Sequence, residues 1–176
     1  NEQREIIYKE RRQVLDGENM RDATYNMITD IVDNTVDMCF SEDVDSDEWD
    51  VDEFNSVLLP IIPLEPLTKE KVKGKKKNEM KHLLKEEAVK LYEAKEAEFP
   101  EPEQLRELER VVLLKSIDSK WMDHIDDMEM LRQGIGLAAY GQRDPVVEYK
   151  MSAYEMFNNM TNAIQEDTSV CCIMFT

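Results

Sequence analysis

Apolar residues recur at three- and four-residue intervals through most of the chain, with charged residues between them. That period predicts amphipathic helices, each with one face turned inward. A first helix is expected over residues 2–16. Ile7 and Val14 share one face and Tyr8 and Leu15 the next, while Arg4, Arg11 and Arg12 form a basic side. Gly17 is a reasonable stop. Asn19 is placed to cap a second helix, with Asp22 near its positive end. Met20, Ala23, Met27, Ile31 and Met38 follow at helical spacing. Such a methionine stripe reads first as core filler and second as a peptide-binding groove.

Trp49, Phe54, Val57 and Leu58 predict a short apolar helix, ended by Pro60 and Pro63. Leu64 to Asn78 reads as a solvated linker with Pro66, Gly74 and the cationic run VKGKKKN; a patch for acidic lipid is the lesser reading. A charged helix is expected over residues 79–98, with Met80, Leu84, Ala88 and Leu91 on one face and Glu86 pairing with Lys90. Pro100 and Pro102 break it. A long helix then runs from about Glu103 to Gln133, its stripe traced by Leu105, Leu108, Val112, Ile117, Trp121, Ile125, Met128 and Leu131. A last helix starts at Pro145 and carries Tyr149, Ala153, Phe157, Met160 and Ile164. The short connection makes these two antiparallel neighbours. The pattern shows no internal repeat and no strand, so the expected fold is all-α.

The connection itself, within LRQGIGLAAYGQRDPVVEY (Leu131 to Tyr149), is unusual. Gly134, Gly136 and Gly141 are three of the five glycines in the chain. Their clustering predicts a loop with access to positive φ and little side-chain bulk. Asp144 can cap the next helix and Pro145 fits its first turn. Tyr140 stands at the tip, either exposed or packed back on the hairpin.

Composition narrows the picture. Apolar residues make up 41% and charged residues 35%, and so few glycines argue against an all-β fold. A chain of this length buries roughly 70% of its unfolded surface, enough for one or two small cores. The net charge of −17 disfavours nucleic-acid binding by the whole domain. Three cysteines, two of them adjacent (Cys171 and Cys172, with Cys39), make no disulfide framework and suggest a reducing compartment. No apolar run approaches the ~20 residues of a membrane span. The chain has no secretory signal, lacks an initiator methionine and begins inside a helical pattern, which suggests a piece of a larger protein.

Catalytic chemistry is not evident. Ser41 to Glu53 (SEDVDSDEWDVDE) holds eight acids and no base. Asp43, Asp45 and Asp47 alternate as in a calcium loop, but Glu48 stands where glycine is needed and Phe54 where a bidentate glutamate is needed. A solvated acidic loop is the better reading. Gly74-Lys75 lacks the earlier glycine, the following Ser/Thr and the preceding strand of a phosphate loop. His82 and His124 have no second histidine or cysteine at ligand spacing. Asp118, Asp126 and Asp127 read as helix-surface acids. The expectation is no catalytic, metal or cofactor-binding residue in this chain.

Several motifs together resemble the SecA family, the motor subunit of the bacterial preprotein translocase. Asp118-Ser-Lys-Trp121-Met-Asp-His124, Leu131-Arg-Gln-Gly-Ile-Gly, Tyr140-Gly-Gln-Arg-Asp-Pro and Glu148-Tyr-Lys resemble its two-helix finger. Asn1 to Tyr8, Arg11 to Asp16 and Leu58-Leu-Pro-Ile-Ile-Pro63 resemble the end of its long scaffold helix and its helical wing. The resemblance covers roughly residues 1 to 167, while Thr168 to Thr176 (TSVCCIMFT) does not look like the family's continuation. It implies long antiparallel scaffold helices with a two-helix finger and a small helical wing. Residues 1–20 would end the long scaffold helix, 21–106 form the wing, and 107–176 the scaffold and finger, with its tip at about 134–144. Tyr140, Leu137, Gln142 and Arg143 would touch the preprotein and channel at the tip, with Gly134, Gly136, Gly141, Asp144 and Pro145 as hinge and caps. Implied partners are the SecYEG channel, unfolded preprotein and the motor domains of the same chain, which hold ATP and magnesium and whose turnover the scaffold restrains. The implied location is cytoplasmic, peripheral at the inner face of the cell membrane. A free-standing acidic helical adaptor is the alternative function.

Overall fold

The computed structural model describes residues 1–17, 19–138 and 144–174, with backbone alone at 137 and 138. Among these residues the elements are seven α-helices and one 3-10 turn. Helix α1 (Glu2–Leu15) buries Ile7 and Val14 and ends at Gly17, which takes the left-handed φ of 93° open to glycine. Helix α2 (Met20–Cys39) starts where the Asn19 side chain accepts the Asp22 N–H at 3.2 Å. Its inner face is Met20, Met27, Ile28, Ile31, Val32 and Val36. Met38 falls off that face and is exposed, so the methionine stripe ends earlier than its spacing suggests.

The chain then turns through Phe40, which stacks on Trp49 at 4.6 Å and on Phe54 at 4.9 Å. The Trp49 indole donates to the Ser41 carbonyl at 2.9 Å, so this buried ring leaves no orphan donor. Helix α3 (Val51–Leu58) is capped by Asp50, which accepts the Glu53 N–H at 3.0 Å. The expected solvated linker is more ordered than its composition indicates. Leu67 and Val72 are buried, and a single turn of helix, α4 (Lys69–Val72), forms within it. The Asn55 amide holds the backbone of Leu67 from both sides, donating to its carbonyl at 2.9 Å and accepting its N–H at 2.8 Å. Two hydrophobic anchors and one side chain that replaces a strand partner fix this segment.

Helix α5 (Lys77–Ala97) lies antiparallel to α2. Asp33 pairs with Lys85 at 2.9 Å, Asp37 with Lys77 and Lys81 at 2.9 and 2.6 Å, and Arg21 with Glu96 at 3.3 Å. Its buried face is Met80, Leu84, Ala88 and Tyr92; Leu91, expected on that face, is only half-buried. Helix α6 (Pro102–Ala138) is longer than predicted at its C-terminal end, and α7 (Pro145–Met174) runs antiparallel to it, with Lys120 reaching Asp167 at 3.1 Å. Helix α7 includes the segment that looked foreign to the pattern. Thr168, Ser169, Cys172 and Ile173 are all buried there.

Two apolar cores result. One unites Ile28 to Val36, Phe40, Trp49, Phe54, Leu58, Leu67, Met80, Leu84, Ala88, Tyr92 and Leu105, and takes Ile173 from the end of α7. The other unites Ile7, Val14, Met20, Met27, Leu113, Ile117, Met160 and Ile164. Helices α2, α6 and α7 serve both. All three cysteines are free thiols, and no described helix is long and apolar enough to cross a membrane.

Candidate interaction site at the helical hairpin

The hairpin of α6 and α7 is tied at its base to α1. Gln3 accepts the contact of His124 Nε2 on its Oε1 at 2.8 Å and donates through its Nε2 to the Ala153 carbonyl at 3.1 Å. One amide therefore joins three helices. His124 is buried between Trp121 (ring centroids 5.4 Å apart) and Phe157 (5.8 Å, edge-on). Burial pulls its imidazole below the ordinary value of 6.5, against the opposing pull of Asp127. His124 is thus a buried, bonded residue of the hairpin stem. Nothing local in the sequence signals this role, because the partner Gln3 lies 121 positions away.

On α6 the buried positions are Leu105, Glu109, Leu113, Ile117 and His124. Trp121, expected at the centre of the stripe, is half-buried, and Ile125 is exposed. The apolar side chains of α6 lie almost all around its circumference, so the sequence does not single out one face; packing against α1 and α7 does.

Gly134 and Gly136 lie inside α6, not in a loop. Neither takes a positive φ, and an added Cβ at either would meet nothing within 4 Å. The loop with positive φ expected at these two positions is therefore corrected to helix. Helical hydrogen bonding continues through them to Ala138. The Leu137 side chain and residues Tyr140, Gly141, Gln142 and Arg143 lie outside the described residues. Beyond them, Asp144 accepts the Val146 N–H at 3.0 Å and its carbonyl accepts the Glu148 N–H at 3.1 Å, with Pro145 as the first residue of α7. The acidic cap and the proline occupy the positions where their chemistry fits a helix start.

Flanking the tip, both helices expose apolar side chains. Met122, Ile125 and Met130 on α6, and Val146, Val147, Met151 and Tyr154 on α7, are all open to solvent. Val147, Met151 and Tyr154 follow at four- and three-residue steps, with Glu148 and Glu155 beside them, and Asp144, Val147, Met151 and Glu155 line a shallow groove of about 470 Å³. Flexible thioethers in an acidic frame can repack against many surfaces. Asp118 is committed to Arg11 at 2.7 Å, and His82 pairs with Glu86 at 3.0 Å. Among the described residues no His, Cys, Asp and Glu side chains gather as a metal site, and Gly74-Lys75 lies in a turn between α4 and α5, with the Gly74 N–H given to Ser46 Oγ at 3.1 Å.

A family model described as the SecA wing and scaffold domain matches residues 1–175. The match includes the C-terminal segment, which corrects the expectation that the resemblance stops at residue 167. A protein translocase subunit SecA from Lachnoclostridium phytofermentans is 64% identical over 176 residues, covering 96% of this chain and 20% of that protein. Those from Syntrophomonas wolfei and Desulforamulus reducens are each 45% identical, covering 95% of this chain and 20% and 19% of their own lengths. The chain thus spans about a fifth of the length of the curated relatives it matches.

Proposed function

The chain belongs to the SecA wing and scaffold family, and on that premise we propose that it is the part of a preprotein translocase motor that engages both the channel and the moving polypeptide. The family match across nearly the whole chain carries this reading. In it, residues 21–106 are the wing and residues 1–20 and 107–176 are scaffold. The separation of the two apolar cores supports that division. ATP and magnesium bind in motor domains elsewhere in the full-length protein, and this chain contributes no cofactor ligand. The finger enters the cytoplasmic mouth of SecYEG, so the protein works in the cytoplasm, peripheral at the inner face of the cell membrane.

Tyr140, with Leu137, Gln142 and Arg143, touches the translocating chain in this reading. The hairpin supports it by its build. Helix α6 is unbroken to Ala138, α7 restarts with a cap at Asp144, and the stem is pinned by Gln3 and His124. A stiff stem transmits displacement to its tip, and an aromatic ring with one hydroxyl grips many sequences weakly. The test is Tyr140→Ala in the full-length protein, read by protease protection of a translocated substrate in vesicles beside a thermal melt. The expected result is impaired translocation with an unchanged melt and basal ATP turnover, and a milder defect for Tyr140→Phe. Full translocation by the alanine variant removes Tyr140 from the mechanism.

A further inference from the structure

Between the two apolar cores lies a layer that is neither. Glu109 on α6 is fully buried. The phenol of Tyr92 on α5 donates to its Oε1, and Arg106, one turn back on α6, stands 3.3 Å from the same oxygen. Arg106 also bonds Glu96 of α5, and Glu96 pairs with Arg21 of α2. The Thr24 hydroxyl faces the Glu109 carboxyl from α2 without meeting hydrogen-bond geometry. From α7 the Cys172 thiol stands near both Glu109 and Arg106. Three helices, α2, α5 and α6, thus meet on one chain of alternating charge, with α7 beside it.

The position of the layer is as telling as its chemistry. On α6, Leu105 belongs to the wing-side core, while Leu113 and Ile117 belong to the other, with Glu109 between them. On α7, Met160 and Ile164 face one core and Ile173 the other, with Thr168, Ser169 and Cys172 between them, whereas on α2 the adjacent Met27 and Ile28 face different cores. The α7 wall is made of the small polar side chains Thr168, Ser169 and Cys172, which offer no large knob to interlock. Exposure rises along the chain of charges, from 0% at Glu109 through 11% at Arg106 and 24% at Glu96 to 43% at Arg21, so water can enter from one edge. A buried ion-pair layer gains little over an apolar one of the same volume, because desolvation offsets most of the Coulomb attraction. It also cannot fuse the flanking cores into one.

We propose that the chain Arg21–Glu96–Arg106–Glu109–Tyr92 is a polar joint that opens as a unit, letting the wing-side core part from the scaffold core while both remain folded. Helices α2, α6 and α7 run through the joint and keep the two bodies tethered. The inference rests on the two cores and the layer between them, and holds independently of the translocase reading.

Cys172 reports the opening. It is buried against the layer in the closed state, with its thiol pushed up to about 12 by burial, and both its position and its pKa keep it unreactive there. The test is the rate of thiol labelling of Cys172 by an aromatic disulfide reagent, in the chain carrying Cys39→Ser and Cys171→Ser. It is followed across urea concentrations below the unfolding midpoint, beside amide exchange of the last turns of α7. Joint opening labels Cys172 with a shallower urea dependence than global unfolding, while the α7 amides stay protected. Filling the joint with apolar side chains (Tyr92→Phe, Arg106→Leu and Glu109→Leu together) slows labelling roughly tenfold, the factor that ~1.4 kcal/mol of added closure gives. Tyr92→Phe alone acts in the opposite direction and speeds labelling, because Glu109 loses a donor and stays buried; it decides the matter if the triple variant does not fold. Labelling that tracks global unfolding overturns the proposal. So does exchange in the last turns of α7 as fast as the labelling, which is end fraying, and so do equal rates in wild type and variants.

Discussion

His124 and Glu109 are each buried in a helical protein whose surface carries most of its charge, and they give it pH dependences of opposite sign. Burial lowers the His124 imidazole below 6.5 in the fold. Between that lowered value and 6.5 the unfolded chain binds a proton that the folded chain refuses, so stability falls as pH drops through the window. Burial raises the Glu109 carboxyl above 4.5, outweighing the Tyr92 and Arg106 contacts that favour its charge. There the folded chain keeps a proton that the unfolded chain has released, so stability falls as pH rises from 4.5 toward the raised value. Urea midpoints across pH should therefore lose their acid-side decline below 6.5 in His124→Gln and their decline above 4.5 in Glu109→Gln. A His124→Gln variant with the full wild-type decline would assign that proton to another group.

At the scale of the element, the most informative result is the continuity of α6 through Gly134 and Gly136. Glycine in a helix interior costs about 0.5–1 kcal/mol relative to alanine, since it has more backbone freedom to lose. Both positions are helical and have open space where a Cβ would stand. Gly134→Ala and Gly136→Ala are therefore expected to stabilise the protein, each by about 0.5–1 kcal/mol, read as a raised melting temperature. Glycines that needed a conformation closed to alanine would respond in the opposite direction, so a lowered melt in either variant would contradict the helical placement. The segment from Leu64 to Asn78 reads as solvated because its lysines outnumber its apolar residues, yet Leu67 and Val72 anchor it and Asn55 supplies the backbone partners a loop usually takes from water.

For the whole molecule, two cores share three helices, and a charged layer lies where they meet. Neither core brings together the groups that would cradle a triphosphate. The purified chain is accordingly expected to release no phosphate from ATP above the buffer rate, a coupled phosphate assay being the check; turnover that co-purifies with the chain through successive columns would contradict it.

Two helix starts were legible in the sequence because capping is local: Asn19 and Asp144 each bond an N–H within three residues of themselves. The all-α class, the antiparallel pairing of α6 with α7 and the family were legible for the same reason, being written in spacing and short motifs. The faces of the long helices were not. Met38 and Ile125 sit at helical spacing and are exposed, while Glu109 and His124 are polar and buried. Which side of α6 is inside depends on Gln3, Tyr92 and α7, partners up to 121 residues away. The fate of the C-terminal segment was likewise a tertiary matter, since Ile173 finds the wing-side core only after α7 has run back along most of α6. The sequence determined the helices, their caps and their kinship, because the free energies involved are set by neighbours along the chain. Only the tertiary structure decided which polar groups are buried together, because desolvation and pairing are settled between helices and leave no periodic trace in any one of them.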